Sequence, residues 1–175
     1  MSQSTQHWYA IRVKSNRERV TADALKGKDL EVLFPAYRDN RVGKPPLDIP
    51  LFPGYLFCRF DARVRLPVLT VPGVVHIVGL GNVPIPIDPA EMASVKALIG
   101  SPFRVLPFPF PPVGRKVEIQ AGPLRGVEGI VLAHKGEHKM VVSVTLLQRS
   151  LAVTLERQWV SLLPADATPL FERAS

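Results

Sequence analysis

The chain carries a single cysteine, Cys58, among 175 residues. No disulfide can form within it, so the fold must rest on packing, and a lone thiol fits a reducing compartment, with the cytoplasm as the default. No run of residues is long and apolar enough to span a bilayer, and the opening MSQSTQH lacks the charged start and apolar centre of a signal peptide. Export and membrane residence are therefore not expected. The groupings that carry catalysis are also missing: there is no nucleophile with base and orienter, no glycine loop for phosphate, and no pair of carboxylates at useful spacing. His134, Glu137 and His138 could meet across a turn at Gly136 and hold a metal, but a solvent-exposed hairpin tip is the preferred reading. No enzyme, cofactor or metal site is expected.

What is present is enough for a folded protein. At 46% hydrophobic content the chain can bury one good core or two small ones. Its formal net charge of +7 favours an anionic partner such as nucleic acid, although the same excess serves equally well as a solvated surface. The 18 prolines are unevenly placed and densest at Pro102, Pro107, Pro109, Pro111 and Pro112. That stretch cannot continue a helix or sit in a central strand, so it reads as a stiff extended connector.

Aromatic residues make up only 7% of the chain, which makes LFPGYLFCRF, from Leu51 to Phe60, informative. Pro53 and Gly54 break the backbone just before a nearly continuous apolar run, which reads as a bend followed by a buried strand. Phe52 and Tyr55 flank the bend. Two readings stand side by side: both rings fill the core, or both are held at a sheet rim as anchors for a partner. Cys58, inside the strand, reads as a buried structural thiol.

Before this stretch, His7 to Lys14 alternates as a strand, with Tyr9, Ile11 and Val13 on one face and Trp8, Ala10 and Arg12 on the other. A helix follows. Ser15 and Glu18 have capping-box spacing, Val20, Thr21, Ala24 and Leu25 form the expected core stripe, and Gly27 offers a left-handed end. A strand is expected at Glu31 to Phe34, then a charged hairpin or loop from Tyr37 to Pro50 around Gly43. Beyond the LFPGY strand come a short helix at Leu66 to Thr70, a strand at Val74 to Leu80, and a helix capped by Asp88 with Pro89 in its first turn and Met92, Val95 and Ile99 at helical spacing. This order describes an α+β sandwich.

After Pro112 the pattern changes to short β segments at Lys116 to Gln120, Val127 to Ala133, Lys139 to Leu147 and Leu151 to Leu155. Gly122-Pro123, Gly126, Gly129 and Gly136 mark the corners, and Val141, Val142, Val144, Val153 and Val160 supply the interior of a small barrel. The expected organisation is a first domain over 7–100, a proline linker over 101–111, the barrel over 112–164 and a tail over 165–175. Basic excess lies on both sides of the linker: 14 basic against 9 acidic residues over 1–111, and 7 against 4 over 112–164.

The segment VGRKVEIQAGPLRGVEGIV, ending at Val131, resembles the KOW motif of small SH3-like barrels. Together with WYAIRVK, LFPGYLF and VPGVVHIVG in order, it makes nearly the whole chain, Trp8 to Leu163, resemble the NusG family of transcription elongation factors. The resemblance implies a ferredoxin-like antiparallel sheet with helices followed by a KOW domain of the SH3-like barrel type. It also implies docking of the first domain on the clamp helices of the RNA polymerase β′ subunit, with Phe52 and Tyr55 as anchors and Trp8 and Tyr9 as weaker candidates.

The family relation thus favours anchor over core filler for Phe52 and Tyr55. Such a factor would favour the closed, non-paused elongation complex, with Arg12, Lys14, Arg17, Arg19, Arg38, Arg41 and Lys44 as candidates for holding its DNA or RNA. In the KOW loop, Leu124, Arg125 and Val127 are the candidate positions for a small-subunit ribosomal protein or the termination factor Rho. Two departures stand out. DARVRLPVLT replaces the histidine and threonine run with which some specialised members reach the polymerase gate loop, so that contact is not expected, and Val127 stands where general factors often place an aromatic. The missing aromatic, together with the basic charge, tilts the expectation toward a specialised antitermination paralogue of the RfaH kind, acting as a monomer. The competing reading is a plain RNA-binding KOW module without polymerase contact.

Overall fold

The computed structural model describes residues 5–108, 114–134, 137–155 and 159–162. Strand β1 (His7–Val13) leads into helix α1 (Glu18–Lys26), and β2 (Glu31–Leu33), β3 (Ala36–Asp39), β4 (Leu47–Pro50) and β5 (Tyr55–Phe60) follow. A short helix α2 (Leu66–Leu69), β6 (Val74–Ile77), the two-residue strands β7 (Gly79–Leu80) and β8 (Val83–Pro84), and helix α3 (Pro89–Ile99) complete the first half. The second half is all β: β9 (Val105–Phe108), β10 (Arg115–Ile119), β11 (Glu128–His134), β12 (Glu137–Val144), β13 (Arg149–Leu155) and β14 (Val160–Leu162). Two compact units emerge, Met1–Ala93 with Val144–Arg149, and Ser94–Ser143 with Ser150–Ser175.

In the first unit the order β2-β5-β1-β6 makes a four-stranded sheet, antiparallel at each pairing. Strand alternation sends Tyr9, Ile11 and Val13 of β1 and Leu56, Cys58 and Phe60 of β5 to one face, where Ala22 and Leu25 of α1 and Val68 of α2 close the core. Fully buried side chains such as Ile11, Leu25 and Leu56 each contribute about 1.5–3 kcal/mol. Burial pushes the Cys58 thiol up to about 12, with a smaller contribution from the charge of Glu31, so the thiol is neutral and structural as expected.

Helix α1 departs from its sequence reading in three ways. Its buried residues are Glu18, Thr21, Ala22 and Leu25, a proper helical stripe, while Val20 is exposed and so is Ala24. The capping box does not form: the N-cap is Arg17, with no side-chain cap bond, because the Glu18 carboxylate turns inward to a tertiary partner. Gly27 keeps a right-handed φ of −62°, and the left-handed residue beyond the helix is Asp29, at φ 59°. Helix α3 keeps its expected cap, with Asp88 Oδ1 accepting the Ala90 amide at 2.7 Å, and Met92 and Val95 are buried, but Leu98 rather than half-buried Ile99 completes the stripe. The strand expected over Val74 to Leu80 divides after Ile77: the Val78 amide still reaches the Ala10 carbonyl at 2.9 Å, but Gly79–Leu80 then pair with Val83–Pro84 in a hairpin of their own.

In the second unit the sheet order is β14-β10-β11-β12-β13-β9. Val117, Ile119, Val141, Val142, Val144 and Val153 are buried; the Val160 side chain lies outside the described residues, as does Gly136. Gly129 is not a corner. It sits within β11, where a Cβ would press on the Val141 carbonyl at 2.7 Å, so its smallness permits close strand approach. The proline-rich stretch contributes β9, in which Pro107 stands opposite Leu151. A strand at the sheet edge tolerates the missing amide. Among the described residues no helix is long and apolar enough to cross a membrane.

Candidate functional site

The site grows from the bend at Phe52-Pro53-Gly54-Tyr55. The Tyr55 amide donates to the Phe52 carbonyl at 3.0 Å, and Gly54 has φ 80°, the arrangement of a type II turn with proline second and glycine third. Three contacts clamp it. The Gly54 amide donates to Oε1 of buried Glu18 at 2.9 Å, and the Gly54 carbonyl accepts the Val13 amide at 2.9 Å. The same carbonyl takes a long bond of 3.4 Å from Arg12 Nη1. A side chain at Gly54 would collide with the Arg12 guanidinium.

From this turn Tyr55 enters β5 directly opposite Arg12 on β1. The Arg12 guanidinium lies over the Tyr55 ring, 4.9 Å from its centroid, a cation–π stack. Both residues are half-buried. The register continues Ala10 opposite Phe57 and Trp8 opposite Arg59, so half-buried Trp8 shares the face and stands four residues, about 13 Å, along β1 from Arg12. Between them Ala10 and Phe57 are fully enclosed.

Two anchor expectations are corrected. Phe52 is 1% exposed and packs edge-on against Phe57 at 5.2 Å. Its ring packs on the sheet face that Phe57 shares with Tyr55, fully enclosed there, and cannot itself meet a partner. Tyr9 is 4% exposed, with its ring 4.7 Å from that of Phe60; strand parity sends it to the core opposite Trp8. Burial and the nearby Asp61 charge raise the Tyr9 hydroxyl above its ordinary range. Tyr55 and Trp8 remain as the aromatics with surface to offer.

The basic candidates fall into separate places. Lys14 and Arg17 are exposed between β1 and α1. Exposed Arg19 pairs with Asp48 of β4, and exposed Arg38 stands opposite the same Asp48 across the β3–β4 hairpin. Arg19, Arg38, Asp23 and Lys26 border a pocket of about 360 Å³ with Val32, Leu33 and Phe34 in its lining. Arg41 and Lys44 are exposed at the hairpin tip. Between them Val42 stands fully in solvent, a feature the sequence reading missed although an apolar residue flanked by cations at a turn is a visible signal.

In the KOW loop, Leu124 is enclosed and Val127 is 7% exposed, so neither offers contact area; the Val127 amide closes the loop on the Leu124 carbonyl at 3.0 Å. Only Arg125 of the three is exposed. In the interval DARVRLPVLT, Val64 and Leu66 are exposed, as are Leu80 and Val83 of the β7–β8 hairpin. Arg65 ties the two segments by donating to the Asn82 carbonyl at 2.7 Å. No pattern in the chain signals this, since strands of two residues leave no periodicity. No cluster of three metal-binding side chains occurs among the described residues, and the side chains of His134, Glu137 and His138 lie outside them.

The fold and this face define a class: an α+β unit with a half-buried aromatic–arginine surface, followed by a KOW-type all-β unit. The family profile of the transcription termination factor NusG matches residues 6–96. The transcription termination/antitermination protein NusG of Thermus thermophilus is 30% identical over 176 residues, covering 85% of this chain and 94% of that protein. A solved structure of Thermotoga maritima NusG, described as a domain interaction, is 22% identical, covers 91% of this chain and 98% of its own, and has a TM-score of 0.58, which speaks for the fold. The chain belongs to the NusG family of transcription factors.

Proposed function

We propose that this protein is an accessory elongation factor with antitermination activity, whose first domain, over 7–100, docks on the clamp helices of the RNA polymerase β′ subunit. The observation that carries the reading is Tyr55, held half-exposed at the mouth of the clamped turn on the sheet face where Phe52 and Phe57 pack together. A rigid aromatic beside an enclosed apolar cluster is the usual form of an interface anchor. Trp8 extends the same face. The Thermus thermophilus relative is named for both termination and antitermination, which supports a role in the control of elongation.

A factor that binds only the closed clamp stabilises that state by mass action, so pausing becomes less populated. The exposed cations Arg38, Arg41 and Lys44 of the hairpin would hold phosphates of the elongation complex, each adding a salt-dependent term. The KOW barrel, over 112–164, would carry a second partner, a small-subunit ribosomal protein or Rho, by way of Arg125 and loop backbone. Lys14, Arg17 and Arg19 remain candidates for nucleic acid. The protein acts by binding, without catalysis.

The test is affinity for core RNA polymerase together with pause lifetime in transcription. Tyr55→Ala weakens binding by about 2 kcal/mol, roughly 30-fold in Kd, and restores pausing. Arg41→Ala with Lys44→Ala leaves core binding intact and flattens the salt dependence of binding to the elongation complex. Retained polymerase affinity in Tyr55→Ala would count against docking through this face. It would return the plain RNA-binding reading to first place.

A further inference from the structure

We propose that Arg12 is a specificity determinant of the docking face, pairing with a carboxylate that the protein partner presents beside Tyr55. The inference rests on the docking reading and adds the chemistry of the contact. The guanidinium is half-buried, stacked 4.9 Å above the Tyr55 ring centroid and steered by the Gly54 carbonyl 3.4 Å from Nη1. No acidic side chain pairs with it among the described residues; the nearest candidate by position, Glu18, gives Oε1 to the Gly54 amide instead. A guanidinium fixed in plane loses little freedom on binding, and its fork matches a carboxylate by two parallel hydrogen bonds.

Its surroundings favour a single planar acceptor on a protein over a nucleic-acid backbone. On the same sheet face Arg12 is followed by enclosed Ala10 and faces Tyr55, with exposed His76 opposite on β6. A phosphate track needs a series of cations, and such a series lies on the hairpin, at Arg38, Arg41 and Lys44. Partial burial of the guanidinium also strengthens one charge-assisted contact and makes a missing one costly. A partner surface with an apolar patch and an acidic residue at its border therefore fits; one with a basic residue there is rejected.

The experiment measures Kd of the full chain for core RNA polymerase free of nucleic acid, then for the assembled elongation complex, with Arg12→Gln, Arg12→Lys, Arg12→Glu and Tyr55→Ala. Against the free enzyme, Arg12→Gln binds about tenfold and Arg12→Glu about a hundredfold more weakly, while Arg12→Lys, which keeps the charge without the fork, falls between wild type and Arg12→Gln. Wild-type affinity also falls with salt more steeply than that of Arg12→Gln, a comparison that stands if Arg12→Glu fails to fold. Wild-type binding by the Arg12 variants, with Tyr55→Ala weakened, overturns the carboxylate pairing and leaves the docking reading in place. A loss seen only with the elongation complex overturns it in favour of phosphate. If Tyr55→Ala also binds normally, both readings fail together.

Discussion

Glu18 and Gly54, thirty-six residues apart, are joined by a buried hydrogen bond of 2.9 Å from a turn amide to a helix carboxylate. The bond ties the first turn of α1 to the bend that launches β5, and so sets where Tyr55 emerges. Glu18→Ala leaves a buried amide without an acceptor and costs about 2 kcal/mol, whereas Glu18→Gln keeps an acceptor and costs about half of that. Denaturant unfolding of the two variants checks the ordering. Equal stability of Glu18→Ala and wild type would remove the clamp from the account.

Three residues further along α1, the Thr21 hydroxyl is buried with no hydrogen-bond partner among the described residues. The isosteric Thr21→Val removes the unsatisfied group and keeps the packing, so it should raise stability by about 1 kcal/mol. The same unfolding measurement reads it. A loss of stability would mean the hydroxyl has a partner.

Much of the first sheet was legible in the sequence because its residues obey one rule at a time. Tyr9, Ile11 and Val13 alternate with Trp8, Ala10 and Arg12, and the Pro53-Gly54 pair can make only a few turns. The failures come from residues used twice. Glu18 has the spacing of a cap, but a tertiary amide competes for its carboxylate and wins, and the buried stripe that runs through Glu18 takes in Ala22 in place of Ala24 and Val20. Phe52 and Tyr55 look equivalent beside the bend, yet the turn encloses one ring against Phe57 and leaves the other half-exposed. Alternation alone already separated Tyr9 from Trp8, and the family likeness to both obscured it.

Asp61 is held at about 2 by hydrogen bonds from the Arg63 side chain and amide. Its folded value lies below the ordinary carboxylate value near 3.9. The stabilisation is therefore present above about 4 and is lost as pH falls through about 2. Because the Arg63 side chain is 70% exposed, the effect on total stability is small, and the sensitive readout is the Asp61 carboxyl resonance. Arg63→Ala should return its titration toward the ordinary range, and an unchanged midpoint would assign the shift to another group.

The most direct test of the docking face places a photo-crosslinking phenylalanine analogue at position 55 of the full chain bound to core RNA polymerase. A second chain carries the analogue at exposed Val20. Docking through this face yields a crosslink from position 55 to peptides of the β′ clamp helices and none there from position 20. A crosslink from 55 to another part of the enzyme, or equal yields from both positions, would contradict it.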